Sequence, residues 1–109
     1  MITADQIKAG KVLAEQASMK FFQEQLGGRD QFACGFAWVD VYVDRTNSKQ
    51  AKELIAAGFR KDYKPKCLSM WDPGGVGCQN IDTKEAGAIA YAKYLSELGL
   101  NAYAGSRLD

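Results

Sequence analysis

In the segment Phe32 to Asp44, FACGFAWVDVYVD, bulky aromatic and acidic side chains alternate with small aliphatic ones. At a period of two, one side of an extended chain carries Cys34, Phe36, Trp38, Asp40, Tyr42 and Asp44, and the other carries Ala37, Val39, Val41 and Val43. The valine side suits burial beneath helices. The aromatic and carboxylate side suits contact with a ligand or partner, because flat rings stack on unpaired bases or anchor protein interfaces. Phe36, Trp38 and Tyr42 are therefore the first candidate binding residues. They are joined by Trp71, at the end of a second predicted strand, and by Arg107, whose guanidinium can fork onto a carboxylate or phosphate.

A second candidate is the loop Gly74-Gly75-Val76-Gly77, placed after a strand and before a helix, where backbone N–H groups can cradle an anion. Gly74, Gly75 and Gly77 lack the Gly-Lys-Ser/Thr ending of a nucleotide-hydrolysing loop and the spacing of a dinucleotide fingerprint, so a plain surface loop is the competing reading. Asp40, Asp44, Asp72 and Glu85 could form a carboxylate pair or a hard-cation site, but linear spacing does not gather them.

The three cysteines, Cys34, Cys67 and Cys78, include no Cys-x-x-Cys pair, and the chain has no histidine. Those facts argue against a zinc site and against Ser-His-Asp and Cys-His hydrolases in their usual form. No metal, cofactor or catalytic residue is assigned from the sequence. Cys34 and Cys67 open predicted strands, where a thiol is a small buried hydrophobe, whereas Cys78 precedes a helix whose dipole favours a thiolate.

The elements that must position these residues can be read in order. Thr3-Ala4-Asp5-Gln6 fits a capping box and opens a long amphipathic helix with Ile7, Ala14, Ala17 and Phe21 on one side, stopped by Gly27-Gly28. Gly10 inside it invites a bend or a close packing contact. Phe32 to Asp44 is a strand. Asn47-Ser48-Lys49-Gln50 caps a short helix ending at Gly58. A connection over 60–66 carries Arg60, Lys61, Lys64 and Lys66 and is a candidate fourth strand. Lys66 to Trp71 is a strand closed by the turn Asp72-Pro73-Gly74-Gly75. Asp82-Thr83-Lys84-Glu85 caps a third helix to Leu98 with Ala86, Ile89 and Ala90 on its apolar side, and Asn101 to Leu108 forms a last strand.

That order, α-β-α-β-α-β, predicts one α/β (or α+β) domain over residues 1–109: three helices on a small three- to four-stranded mixed or parallel sheet, because connections of this length imply crossovers. With 14 basic and 13 acidic residues in 109, the charge gives no case for coating a duplex. No apolar run approaches the ~20 residues needed to cross a bilayer, so a cytoplasmic protein without membrane contact is expected.

Cys34-Gly35-Phe36-Ala37-Trp38-Val39-Asp40-Val41 resembles the longer motif of RNA-recognition domains at the five positions Gly35 to Val39. It departs in having Cys34 in place of a basic residue, in carrying Asp40 and Asp44 on the stacking face, and in lying on the first strand rather than the third. The phrases CGFAWVDV, CQNIDTKEAGA and AYAGSRLD, together with residues 61–73, resemble a group of short uncharacterised proteins encoded by tailed phages and prophages. That resemblance implies a bacterial host cytoplasm and an accessory role, with no functional residue carried over.

The leading expectation is a non-enzymatic protein that binds a host macromolecule, foremost a protein partner, through the aromatic-acidic strand face or the glycine-rich loop. The alternatives are a single-stranded RNA- or DNA-binding module and a small enzyme acting on a nucleotide-like ligand through Asp72 or Cys78. A homo-oligomer would accompany an assembly role.

Overall fold

The first helix is capped by Thr3, whose hydroxyl accepts the Gln6 amide while the Gln6 side chain takes the Thr3 N–H, the reciprocal cap expected there. The computed structural model describes residues 1–109. The first helical run is two helices, α1 (Ala4–Ala9) and α2 (Lys11–Leu26), divided at Gly10. The Tyr94 ring lies directly on Gly10, where any Cβ would overlap it, and the Tyr94 hydroxyl donates to the Gln6 carbonyl at 2.7 Å. Gly27 ends α2 in the left-handed conformation, as its position after the helix requires.

The remaining elements are β1 (Gly35–Tyr42), α3 (Lys49–Ala56), β2 (Arg60–Lys61), β3 (Cys67–Trp71), α4 (Ile81–Glu97) and β4 (Asn101–Leu108). They make an α and β domain with a four-stranded sheet in the order β2-β3-β1-β4. Every neighbouring pair is antiparallel, which corrects the parallel or mixed sheet expected from the connection lengths. The crossovers do join strands of like direction: β1 with β2 through α3, and β3 with β4 through α4. Another strand is inserted between the members of each pair, so no two parallel strands touch. The short strand in the 60–66 connection causes this, because β2 turns back into β3 and reverses its direction. The result is the ferredoxin-like, split β-α-β-β-α-β layout.

The helix-side face of β1 carries Ala37, Val39 and Val41, each at most 1% exposed, against Leu68 and Met70 of β3 and Ala102 of β4. Leu54, Phe59, Tyr91 and Leu95 close the core from above. Each such aliphatic or aromatic side chain contributes on the order of 1.5–3 kcal/mol on burial. The Tyr91 hydroxyl is satisfied by the Ile7 carbonyl at 2.9 Å, and burial raises its pKa.

α4 is covered on two sides, by the sheet and by α2. Its buried stripe therefore runs through Lys84, Ala88, Tyr91 and Leu95, while Ile89, expected to be inside, is exposed. The helix starts are also shifted. Ser48 alone caps α3, and Gln50 instead clamps the N–H and C=O of Ile2 at 2.9 and 2.8 Å. Asn80 caps α4 through the Thr83 amide, in place of Asp82.

Candidate functional site

Because α3 and α4 lie on the valine side and α2 packs along α4, no helix covers the other face of the sheet. Alternation places Phe36, Trp38, Asp40 and Tyr42 of β1 there, and register aligns them with neighbours. Trp38 lies opposite Trp71, Asp40 opposite Ser69, and Tyr42 opposite Cys67 on β3. On β4, Arg107 lies opposite Phe36, Gly105 opposite Trp38, and Tyr103 opposite Asp40. The candidate binding residues Phe36, Trp38, Tyr42, Trp71 and Arg107 thus share one uncovered face, although they span most of the chain.

The rings form two groups on this face. The Trp38 and Trp71 centroids are 4.9 Å apart with planes at 31°, and Phe36 meets Trp71 edge-on at 5.8 Å. Tyr42 and Tyr103 make a further edge contact at 6.0 Å. Trp38 can lie across β4 because its partner there is glycine: a Cβ on Gly105 would come within 2.6 Å of the indole. Trp71 and Tyr103 remain 50% and 56% exposed, so stacking surface is accessible.

Cations flank the rings. The Arg107 guanidinium lies 5.5 Å from the Phe36 centroid and 5.9 Å from that of Trp71. Lys84 donates to the Gly35 carbonyl at 3.0 Å, with its ammonium 5.4 Å from the Phe36 ring. From the other side, the loop after β2 folds over the sheet and sets the Lys64 ammonium on Asp40 Oδ2. The same oxygen accepts the Trp38 indole N–H at 3.2 Å.

Asp40 is 7% exposed, so its charge is answered within the protein. The hydrogen bond to Asp40 raises the Lys64 pKa. Burial, reinforced by the Asp40 charge, pushes the Cys67 thiol up to about 11. Carboxylate oxygens of Asp40 and Asp62 and the Cys67 sulfur lie within 4.8 Å of one another, and the cation they gather is the Lys64 ammonium.

Trp71 separates two hollows. One, of about 90 Å³, is bounded by Trp38, Asp62, Tyr63, Lys64 and Arg107. The other, of about 400 Å³, opens toward β2 between Arg60, Asp62, Ser69 and Met70. A groove on the helical side, between α2 and α4, contains none of this chemistry.

Other candidates lie elsewhere. Gly74 is wedged against Ser18 of α2 and beside Gly87 of α4, Gly75 turns the chain at φ 65°, and Gly77 has open space around it. The amides of Gln79 and Asn80, which lead into α4, already donate to the Asp30 carboxylate at 2.8 and 3.1 Å. Asp44 stands beyond the end of β1, Glu85 accepts from Ser106, and Asp72 begins the turn after β3. Cys34 is exposed just outside β1, contrary to its expected burial, whereas Cys67 and Cys78 are buried.

Asp62, Ser69 and Tyr103 were not singled out from the sequence. The alternation that puts Tyr103 two residues from Gly105 and four from Arg107 on one face of β4 was the available signal. Nothing local marks Asp62 or its proximity to Trp71. Compared with protein-family models, curated proteins and solved structures, the chain matches none.

Proposed function

We propose that this protein binds single-stranded nucleic acid on the open face of its sheet. The observation that carries the reading is one arrangement: Phe36, Trp38 and Trp71 contiguous on the two central strands, uncovered, with Arg107 lying over two of the rings. Unpaired bases stack on such rings for about 1–3 kcal/mol each, and the Arg107 guanidinium beside them can meet a phosphate. RNA-recognition domains use a four-stranded sheet in the same way, an analogy of layout.

Three departures from the RNA-recognition motif weigh against this reading; Cys34 still stands where that motif has a basic residue, and the structure bears on the other two. Asp40 is buried beneath Lys64 and Asp44 lies past the strand, so neither sets its charge among the Phe36, Trp38 and Trp71 rings. The motif-bearing strand, although first in the chain, is central in the sheet and adjoins β3. The resemblance to short phage proteins adds a setting, an accessory protein in the cytoplasm of a bacterial host. A protein partner is the second reading, favoured by the unpaired outer edge of β4, whose eight residues offer a strand for pairing.

Fluorescence anisotropy with labelled single-stranded RNA and DNA ten-mers, and a duplex control, tests the proposal. Single strands are expected to bind and the duplex to bind far more weakly. Trp71→Ala should lower affinity about tenfold while circular dichroism stays native. Affinity should fall with salt at about −0.7 per phosphate contacted, and Arg107→Ala should remove about one such contact. Absence of single-strand binding, or binding indifferent to Trp71, overturns the proposal.

A further inference from the structure

Resting on that reading, we infer that the strand is read as guanine at the base that stacks on Trp71, with Asp62 as the specificity-determining residue. Trp71 is half exposed at the end of β3, and the hollow of about 400 Å³ on its β2 side is large enough for a nucleobase. Its walls are Trp71 and Met70, its polar groups are Asp62 and Ser69, and Arg60 stands at its rim. Asp62 also borders the hollow on the other side of Trp71, and its side chain is 14% exposed beside this indole.

The carboxylate is held in place. Its Oδ2 accepts the Lys64 backbone N–H at 3.2 Å and lies 3.9 Å from the Lys64 ammonium, while Oδ1 faces the Ser69 hydroxyl at 3.5 Å. Each oxygen keeps lone-pair capacity for a ligand. What a fixed carboxylate can accept separates the bases. Guanine presents two adjacent donors, N1–H and the 2-amino group, spaced to meet both oxygens. Adenine and cytosine present one amino group beside a ring nitrogen that is itself an acceptor and would face the second oxygen. Uracil and thymine present one N–H between two carbonyls.

Only guanine avoids setting a lone pair against a lone pair. Arg60 and Arg107 stand on opposite sides of Trp71, on β2 and β4, three strand spacings apart across the sheet and four residues apart along it, about 19 Å in all, a span that a few nucleotides cover. The cations can thus hold the backbone on both sides of the base being read.

The test is a competition panel of uridine ten-mers carrying one central guanosine, adenosine, cytidine or inosine, read by anisotropy with the intact protein. The guanosine strand should bind about tenfold or more tightly than the adenosine, cytidine and all-uridine strands. Inosine, which keeps N1–H and lacks the 2-amino group, should fall between. Asp62→Asn offers one acceptor and one donor, and should level the panel while binding and its dependence on Trp71 persist.

Equal affinity across the wild-type panel, preference for another base, or a guanine preference that survives in Asp62→Asn overturns this inference. Those outcomes leave the nucleic-acid reading standing. Failure of every oligonucleotide to bind overturns both. The inosine comparison needs no variant, so the inference is tested even if Asp62→Asn does not fold.

Discussion

The Lys64 ammonium rests on the Asp40 carboxylate in the middle of the open face and ties the loop between β2 and β3 to the central strand. The pair neutralises the carboxylate that stands between the tryptophan and tyrosine rings of the open face. It also sets a condition on stability, because Asp40 is nearly inaccessible and its Oδ1 has no hydrogen-bond partner.

Removing Lys64 leaves that carboxylate buried and unanswered. Lys64→Met is expected to cost about 2–3 kcal/mol in urea denaturation, somewhat below the usual figure for a fully buried pair because the lysine side chain is 31% exposed. Asp40→Asn added to Lys64→Met should recover part of the loss. A double variant as unstable as the sum of the two single variants would show that the pair does not couple.

Alkaline pH should weaken the fold through Cys67 before Lys64. A thiol with an ordinary value of 9.0 in the unfolded chain is held up to about 11 by burial, so the folded state keeps a proton that the unfolded state releases. Its contribution is complete below pH 9 and is lost as pH rises toward 11. The Lys64 value is raised from 10.5 by its bond to Asp40, so its contribution declines only above pH 10.5. The urea midpoint should therefore fall from pH 9 upward, and Cys67→Ala should flatten the profile between pH 9 and 10, above which Tyr91, also held above its ordinary value of 10.0 by burial, adds to the fall.

Asp72 works against the fold at neutral pH. It adopts φ 47°, its Oδ1 is buried without a partner, and burial raises its pKa despite the opposing charge of Lys84. Asparagine tolerates the same backbone and carries no charge. Asp72→Asn should raise the melting temperature at pH 7. The advantage should disappear as pH falls and the aspartate takes up its proton. A melting temperature that drops at pH 7 would mean that the Lys84 interaction outweighs the cost of burial.

The glycines of the 74–77 loop should differ sharply in tolerance. A Cβ at Gly74 would overlap the Ser18 hydroxyl, whereas one at Gly77 meets nothing within 4 Å. Gly74→Ala should cost about 1–3 kcal/mol through overpacking, and Gly77→Ala well under 1 kcal/mol. Thermal melts of the two variants measure the contrast, and equal losses would assign the loop a role other than packing.

The local elements are legible in short stretches of sequence. The alternation from Phe36 to Tyr42 specified β1 and which of its sides would be buried, and the capping pattern at Thr3 specified where α1 begins. Such signals lie within a few residues of one another, and hydrogen-bond geometry and side-chain period act at that range. Phe36, Trp38, Tyr42, Trp71 and Arg107 could be named for the same reason, since each sits on a strand that its neighbours define.

How the strands lie beside one another depends on pairing between distant segments. Two residues, Arg60 and Lys61, pair with β3 and reverse its direction, and so short a strand has no periodicity to read. The pairing of Asp40 with Lys64, and the approach of Asp62 to Trp71, likewise depend on a loop folding back over a sheet that does not exist until β1 and β3 align. Charges and rings distant in the chain become neighbours through packing, and their chemistry belongs to that arrangement.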